Sequence, residues 1–281
     1  MKKPIIGILA SPYIDIKHKN YPQYIFLNNR IINIIKKNKM DHLIIPYNIS
    51  KIDLNNILNT IDGLLFPGSQ LGNIYSNKPV KSHFNTQKYL IKKAKEINKS
   101  NRIFPILNIC HGTHNLFLIS NNLAPSIANS KKKFINVDAS QYKNIPKFTR
   151  KGKNFKNIFN KSRKKYIINN NIMGISPHIY KKSKILNKNY DIIATSKDRN
   201  NEEFIQIITH KKYPFYSFQF HPEIYNNDFL APYFNKVHKA FLKEYTKEYT
   251  KKYTKKYKTV KCKKFKLSKH NNNICRFYNI N

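Results

Sequence analysis

The chain has 281 residues and carries 53 Lys and Arg residues against 14 Asp and Glu residues, which gives a net charge of +39. No apolar run is long enough to span a membrane, and three cysteines, two of them close to the C-terminus, are too few for a disulfide framework. A body of ~240 residues can bury a core without disulfides or a metal, so the composition is typical of one medium-sized α/β domain.

Short apolar runs alternate with longer amphipathic stretches along most of the chain. The strand candidates are Ile5–Leu9, Leu43–Pro46, Gly63–Phe66, Phe104–Ile109, Asp191–Ser196, Phe204–His210 and Tyr216–Phe220. The helix candidates are Tyr24–Lys37, Ile57–Ile61, Tyr89–Ile97, the run Asn115–Ile119 and a final helix from about Leu230 into the 240s. This alternation predicts a mostly parallel sheet with helices on both faces, in which the last three strands are partly antiparallel. Residues 121–180 are polar and basic and allow no assignment.

The N-terminal apolar run, residues 5–10, is too short for the core of a signal peptide and ends in a Ser-Pro turn signal. We therefore expect an intracellular, cytoplasmic protein without a membrane span. The high positive charge has two explanations, a surface that binds nucleic acid or another polyanion, or a drift of composition toward Lys, Asn, Ile and Tyr. Nucleic-acid contacts usually lean on Arg as well, and Arg is rare here, which favours drift.

A basic tail, residues 241–281, is expected to follow a domain that spans residues 1–240. The tail contains a four-residue repeat that places Tyr245, Tyr249, Tyr253 and Tyr257 along one slowly drifting helical stripe. That stripe could extend the last helix and pack on the body, stack on nucleic-acid bases between lysines, or remain a solvated repeat. We therefore expect the tail to be partly helical or disordered.

Three short segments carry candidate chemistry. In residues 105–113 (PILNICHGT) a buried strand runs into Cys110, and Gly112 follows two residues later, as in a nucleophile elbow. Such a turn points a helix N-terminus at the sulfur and favours the reactive thiolate, although an ordinary buried cysteine would fit the same segment. A strand that ends in Pro67-Gly68, in residues 61–69, could present a backbone N–H to an oxyanion or be a common turn.

The third segment, residues 215–223 (FYSFQFHPE), delivers His221 and Glu223 two positions apart. In an extended chain these two side chains face the same side, and Pro222 biases His221 toward an extended backbone. A carboxylate beside a histidine can hold the tautomer of the imidazole, which is the orienting role in a catalytic triad. The alternative is a strand end followed by a polar turn.

Together and in this order, the segments resemble those of the class I glutamine amidotransferase superfamily, and within it the γ-glutamyl hydrolases of peptidase family C26. The resemblance covers most of residues 4–235. It is carried by the first strand (residues 4–9), the segment 62–68 (DGLLFPG), the segment 104–112 and the segment 213–223. It implies a flavodoxin-like three-layer sandwich with a mostly parallel central sheet.

The resemblance also implies roles at matching positions. Cys110 would attack a γ-glutamyl or glutamine amide carbonyl and form a thioester. His221 would deprotonate Cys110 and later activate water, and Glu223 would orient His221. The backbone N–H groups of Ser69 and His111 would form the oxyanion hole.

Three positions depart from the family pattern. Asn108 stands where the family usually has Gly two residues before the nucleophile, so a side chain occupies a place where the backbone is tight. Gly68 and Ser69 stand where the family usually has Gly-Gly, a change that keeps a backbone donor. The extra histidine of the substrate pocket in γ-glutamyl hydrolases aligns with Asn171, and nearby His178 could take its place.

The favoured function is a stand-alone cysteine hydrolase of the omega-peptidase class that cleaves γ-glutamyl amide bonds in folate polyglutamates or other small γ-glutamyl compounds. One alternative is a glutaminase subunit that supplies ammonia to a separate synthetase. Another is a catalytically lapsed relative that serves as a basic polyanion-binding protein. We expect no cofactor and no metal, because no His, Cys, Asp or Glu residues have metal-ligand spacing, and we allow for a homodimer.

Overall fold

The computed structural model describes residues 2–12, 25–69, 78–124, 134–225 and 227–257. The strands are β1 Ile5–Leu9, β2 Ser11–Pro12, β3 Ile25–Phe26, β4 Asp41–Ile45, β5 Gly63–Phe66, β6 Ile106–Ile109, β7 Ile135–Asn144, β8 Lys147–Phe148, β9 Ile167–Gly174, β10 Tyr190–Lys197, β11 Glu203–His210 and β12 Phe215–Phe218. The helices are α1 Asn29–Lys37, α2 Lys51–Thr60, α3 Lys78–Lys99, α4 His111–Ser120, α5 Lys153–Lys161, α6 Pro177–Lys182, α7 Lys184–Asn189, α8 Pro222–Tyr225 and α9 Ala231–Tyr257.

An eight-stranded sheet in the order β4-β1-β5-β6-β12-β11-β10-β8 forms the centre of the fold. The first five strands in this order run parallel to one another. Each of the last three is antiparallel to the strand before it. In chain order the parallel strands are arranged 2-1-3-4-5, which is the flavodoxin-like winding. In such sheets ligands bind beyond the carboxyl ends of the parallel strands, so this edge is where a site is expected.

Apolar side chains cover both faces of the sheet. One core contains residues of α2, α3, α4, α6 and α7, and the other contains residues of α1, α5 and α9. The strands at the centre are buried along their whole length, as continuous apolar runs between two helical layers require. The predicted α/β flavodoxin-like sandwich is therefore confirmed.

Several predicted boundaries are wrong. The first helix begins at Asn29 rather than at Tyr24, because the side chain of Asn28 caps it and residues 25–26 form a strand. The second begins at Lys51 rather than at Ile57, because Ser50 accepts a hydrogen bond from the backbone N–H of Asp53. The third extends beyond Tyr89–Ile97 in both directions and spans 22 residues.

The stretch 121–180, which the sequence left unassigned, contains a long antiparallel pair. β7 and β9 form a separate two-stranded sheet, in which Ala139 lies opposite Asn171. Val137 and Ala139 of β7 pack against Phe204 of β11, so this pair covers one end of the central sheet. β9 therefore lies beside the carboxyl ends of the central strands.

The last described helix, α9, crosses the predicted boundary between residues 240 and 241 and continues to Tyr257. Its first turns pack on the body through Tyr233, Phe234 and Val237. Residues 258–281, with Cys262 and Cys275, lie outside the described residues, so the extent of the tail stays a prediction. Within the described ranges, no helix combines the length and the apolar character that a membrane crossing requires.

Candidate active site

Cys110 lies at the turn between β6 and α4. Its backbone has φ of 49° and ψ of −105°, which is a strained conformation for a residue other than glycine. The turn is held from both sides, because the Cys110 N–H donates to the carbonyl of Phe218 at 2.7 Å and the N–H of Thr113 donates to the Cys110 carbonyl at 2.9 Å. This strained strand-to-helix turn is the geometry that lifts a nucleophile above a parallel sheet.

Gly112 allows α4 to approach the sheet closely. A methyl group at this position would lie 2.5 Å from the carbonyl oxygen of Phe66, the last residue of β5. Because that oxygen belongs to the backbone, the clash could not be relieved by a side-chain movement. The second residue after the cysteine therefore has to be glycine for this helix to begin where it does.

His221 and Glu223 follow β12 and form a close pair, with Nδ1 of His221 2.7 Å from Oε1 of Glu223. α8 begins at Pro222, so Glu223 lies in a helical turn, while His221 precedes the helix. Proline is favoured in the first turn of a helix, and a turn placed there still brings the two side chains together. The side chain of Glu223 is 3% exposed, so water does not compete strongly for this hydrogen bond.

Gly68 shows how closely the ends of β5, β6 and β12 converge. A methyl group on Gly68 would lie 2.6 Å from Cε1 of His221 and 3.3 Å from Cβ of Cys110. The φ of Gly68 is not positive, so glycine is required here for space and not for backbone freedom. The imidazole, the nucleophile turn and the Pro-Gly turn thus enclose one small volume.

The electrostatics separate His221 from the other buried histidines near the turn. Burial opposes a charge on His221, but the Coulombic attraction of Cys110 and hydrogen bonds with Cys110 and Glu223 raise its pKa well above the ordinary value. In contrast, burial lowers the pKa of His83 and of His114 to about 4, the latter against a smaller opposing effect of Gln219. Burial and the neighbouring His83 and His114 lower the pKa of His111 as well. His221 is the histidine that this environment favours in the charged form.

The two predicted oxyanion donors lie on adjacent turns. Ser69 follows Gly68 at the end of β5, and His111 is the first residue of α4. Backbone N–H groups at a helix N-terminus carry a partial positive charge and suit a developing oxyanion. Their role in stabilising such a charge stays a prediction.

Asn108 does not distort the turn. It lies within β6 without positive φ, opposite Phe66 of β5 and Ser217 of β12. Its buried amide donates to Oγ of Ser217 at 3.0 Å and accepts from Nε2 of Gln87 at 3.4 Å. A side chain at this position is therefore accommodated by hydrogen bonds from two neighbouring elements.

Asn171 lies on the buried face of β9 together with Asn169, a residue that the sequence analysis missed. Both polar atoms of the Asn169 side chain and Oδ1 of Asn171 are buried without a hydrogen-bond partner among the described residues. The backbone N–H of His221 donates to the carbonyl of Ile168 at 3.3 Å, which brings this part of β9 beside His221. Residues 167–173 read IINNNIM and do not alternate polar and apolar residues, so the sequence carries no local signal for Asn169.

The remaining candidate, His178, is exposed on α6, and its part in substrate binding stays a prediction. Gln219, which was not predicted, places Nε2 4.0 Å from Sγ of Cys110, at the outer limit for a hydrogen bond to sulfur. Among the described side chains, no group of three or more His, Cys, Asp and Glu residues could hold a metal ion.

Comparisons with known proteins identify relatives of the chain. The profile of the Peptidase C26 family matches residues 4–223. The chain is 26% identical over 225 residues to γ-glutamyl hydrolase B of Dictyostelium discoideum, which covers 78% of this chain and 62% of the relative. It is 24% identical over 242 residues to a protein of Arabidopsis thaliana described as γ-glutamyl hydrolase 3, with 79% of this chain and 64% of the relative covered.

Among solved structures, a Thermoplasma acidophilum protein described as belonging to a GMP synthase superposes with a TM-score of 0.54 at 17% identity, covering 88% of this chain and 99% of the other. This likeness shows the fold. The chain spans less than two thirds of the length of the curated relatives it matches. Because the family profile covers 220 consecutive residues that include the strained cysteine turn and the His-Glu pair, the chain belongs to the Peptidase C26 family.

Proposed function

We propose that this chain is a cysteine hydrolase that cleaves γ-glutamyl amide bonds, with Cys110 as nucleophile, His221 as base and Glu223 as the residue that orients the base. The observation that supports this most strongly is the convergence around Gly68, where a single methyl group would meet both His221 and the Cys110 turn. A strained cysteine, a histidine with a raised pKa and a buried carboxylate 2.7 Å from that histidine form a nucleophile, base and orienting group.

The proposed reaction proceeds in two steps. The Cys110 thiolate attacks the γ-carbonyl carbon, the oxyanion is stabilised by the N–H groups of Ser69 and His111, and protonated His221 gives its proton to the leaving amine as the C–N bond breaks. The resulting thioester is attacked by water, which His221 deprotonates. The C–S bond then breaks, the γ-carboxylic acid leaves and loses its proton to solvent, and the thiolate is restored beside protonated His221.

The β9 amides, Asn169 and Asn171, are proposed to contact the glutamyl part of the substrate. A buried amide without a partner costs free energy, which a hydrogen bond from a bound ligand would recover. Amides can donate to a carboxylate and accept from an ammonium group, so both ends of a glutamyl group suit them. Small γ-glutamyl compounds and folate polyglutamates are the substrates to test.

The test is hydrolysis by the full chain of γ-glutamyl-p-nitroanilide and of a folate polyglutamate, with Cys110→Ala compared with Cys262→Ala. We expect Cys110→Ala to lower turnover at least about a thousandfold, because the covalent route is lost. Cys262 belongs to the predicted tail, so its replacement should leave turnover unchanged. Equal turnover by wild type and Cys110→Ala would contradict the proposal.

The alternatives predict other outcomes in the same experiment. A glutaminase subunit would release ammonia from glutamine and leave γ-glutamyl peptides intact. A lapsed relative would hydrolyse none of these compounds, and binding to DNA or RNA that weakens steeply with salt would then support a polyanion-binding role.

A further inference from the structure

A buried polar network connects the nucleophile turn to helix α3, which contributes nothing to the proposed triad. We call it the elbow network, and its members are Gln87 of α3, Asn108 of β6, Asn115 of α4 and Ser217 of β12. All four side chains are at most 1% exposed. Polar side chains are rarely buried this deeply in the apolar layer between a sheet and its helices unless their hydrogen bonds are made.

Gln87 is the centre of the network. Its Nε2 donates to the carbonyl of Gly112 at 3.0 Å and lies 3.4 Å from Oδ1 of Asn108, and its Oε1 accepts from Nδ2 of Asn115 at 2.8 Å. Gly112 and Asn115 both belong to the first turns of α4. One side chain from another helix therefore holds the start of α4 at two points.

Asn108 extends this connection across the sheet. Its Nδ2 donates to Oγ of Ser217 at 3.0 Å, and Ser217 lies on β12, the strand that leads to His221. The strand of the nucleophile and the strand of the base are thus joined by side chains as well as by their backbone pairing. The side chain of Asn108 provides this link, which a glycine at the same place could not.

We propose that Gln87 is a positioning residue of the nucleophile turn, which fixes the first turn of α4 relative to Cys110 through Gly112 and Asn108. This inference rests on the proposed function, because it concerns the same site. The N–H of His111 and the sulfur of Cys110 both belong to the turn that Gln87 holds. Misplacement of such groups by a fraction of an ångström slows the chemical step and leaves substrate binding largely intact.

The test compares Gln87→Met, which keeps the length of the side chain and removes its hydrogen bonds, with Gln87→Asn, which keeps the amide but withdraws it by one carbon. Thr86→Val is the matched control, because Thr86 neighbours Gln87 on α3 and its buried hydroxyl donates at 2.7 Å to the carbonyl of Tyr47, away from the turn. Melting temperature, kcat and KM for γ-glutamyl-p-nitroanilide, and the rate of Cys110 alkylation by iodoacetamide are measured for all variants.

We expect either Gln87 variant to lower kcat about tenfold with KM within about twofold, and Thr86→Val to change neither. If one Gln87 variant does not fold, the kcat and KM of the other variant test the inference. A kcat equal to that of Thr86→Val at matched melting temperature overturns the inference and leaves the proposed function standing. A wild-type protein without hydrolysis overturns the proposed function and the inference with it.

Discussion

The two sides of Cys110 differ in how their buried amides are bonded. On the α3 side, the elbow network joins four elements. The side chain of Gln87 by itself bonds to three residues, Asn108, Gly112 and Asn115. On the β9 side, among the described residues, the side chain of Asn169 has no hydrogen-bond partner and that of Asn171 bonds only within its own strand, to Met173. Among the described residues Oδ1 of Asn115 also lacks a partner, so the difference lies in which elements the amides join. Every amide of the elbow network bonds to another element, and within the described part of the chain neither Asn169 nor Asn171 does so.

This difference suggests a division of work around the nucleophile. Amides that bond to other elements restrict the position of the turn, so changing them should alter the chemical step. Amides that have unmet bonding capacity are suited to a ligand, so changing them should alter substrate binding. Measurements of kcat and KM on variants of each side test whether one side affects the chemical step and the other affects substrate binding.

After Cys110 itself, the largest effect is expected at Glu223 of α8, the short helix that follows β12. Glu223→Gln keeps the shape of the side chain but no longer stabilises a charged His221, and an amide facing Nδ1 favours the wrong tautomer. We expect kcat to fall about a hundredfold with little change in KM. Stopped-flow measurement of the γ-glutamyl-p-nitroanilide reaction checks this, and an unchanged kcat would remove Glu223 from the triad.

The next effect tests the convergence of the three strand ends. In Gly68→Ala the added methyl group would lie 2.6 Å from Cε1 of His221, so the imidazole has to move. We expect a loss of about tenfold or more in kcat, because the base leaves its position beside Cys110.

Gly63→Ala is the control for this change, because it adds a methyl group at the start of β5, the strand that leads to Gly68, and 3.1 Å from Val237. Some stability should be lost there while kcat stays unchanged. If both alanine variants reduced kcat equally, the loss would reflect packing of β5 and not the position of His221.

A smaller effect is expected on the β9 side. Asn169→Ala removes an amide with unmet bonding capacity, so we expect KM to rise about fivefold, as one lost hydrogen bond of about 1 kcal/mol predicts, while kcat changes little. Asn170→Ala, one residue further along the same strand with an exposed side chain, should leave both constants unchanged. A fall in kcat for Asn169→Ala at constant KM would place this residue among the positioning groups.

The smallest effect on activity is expected on replacing His83. That change should instead alter how the free energy of unfolding depends on pH. In the unfolded chain His83 takes up a proton below about pH 6.5, whereas in the folded protein burial holds its pKa at about 4. The unfolded state therefore binds more protons between these values, and the free energy of unfolding falls as pH falls.

His83→Gln removes this proton uptake. Between pH 7 and pH 5 the free energy of unfolding should decline by about 2 kcal/mol less in the variant than in wild type. Urea denaturation at the two pH values measures the difference. Parallel declines would mean that His83 titrates alike in the folded and the unfolded chain.

The sequence predicted the central strands and the tight turn at Cys110 because both leave local signals. Continuous apolar runs identify β5 and β6, and a cysteine that follows such a run, with glycine two residues later, identifies the elbow. The pair β7–β9 was not recognised, because β9, with the sequence IINNNIMG, does not alternate polar and apolar residues and two of its buried positions are asparagines. Burial of Asn169 and Asn171 reflects where the strand lies in the fold, which no local pattern reveals.

The elbow network could not be predicted for a related reason. Gln87 lies 25 residues before Gly112, and Asn108 lies 109 residues before Ser217, so no spacing connects these partners. Gln87 belongs to an amphipathic helix in which a glutamine would ordinarily face solvent. Asn108 was identified as a departure from the family pattern, but only the position of α3 explains why its side chain is accommodated.

The most direct test of the central claim is labelling of the full chain with a γ-glutamyl-mimicking electrophile, diazo-oxo-norleucine, followed by intact mass measurement and peptide mapping. We expect one adduct, on Cys110, that forms much more slowly in His221→Ala because the thiolate loses its partner. An adduct distributed over Cys110, Cys262 and Cys275, or one on Cys110 that forms equally fast without His221, would contradict an activated nucleophile at this turn.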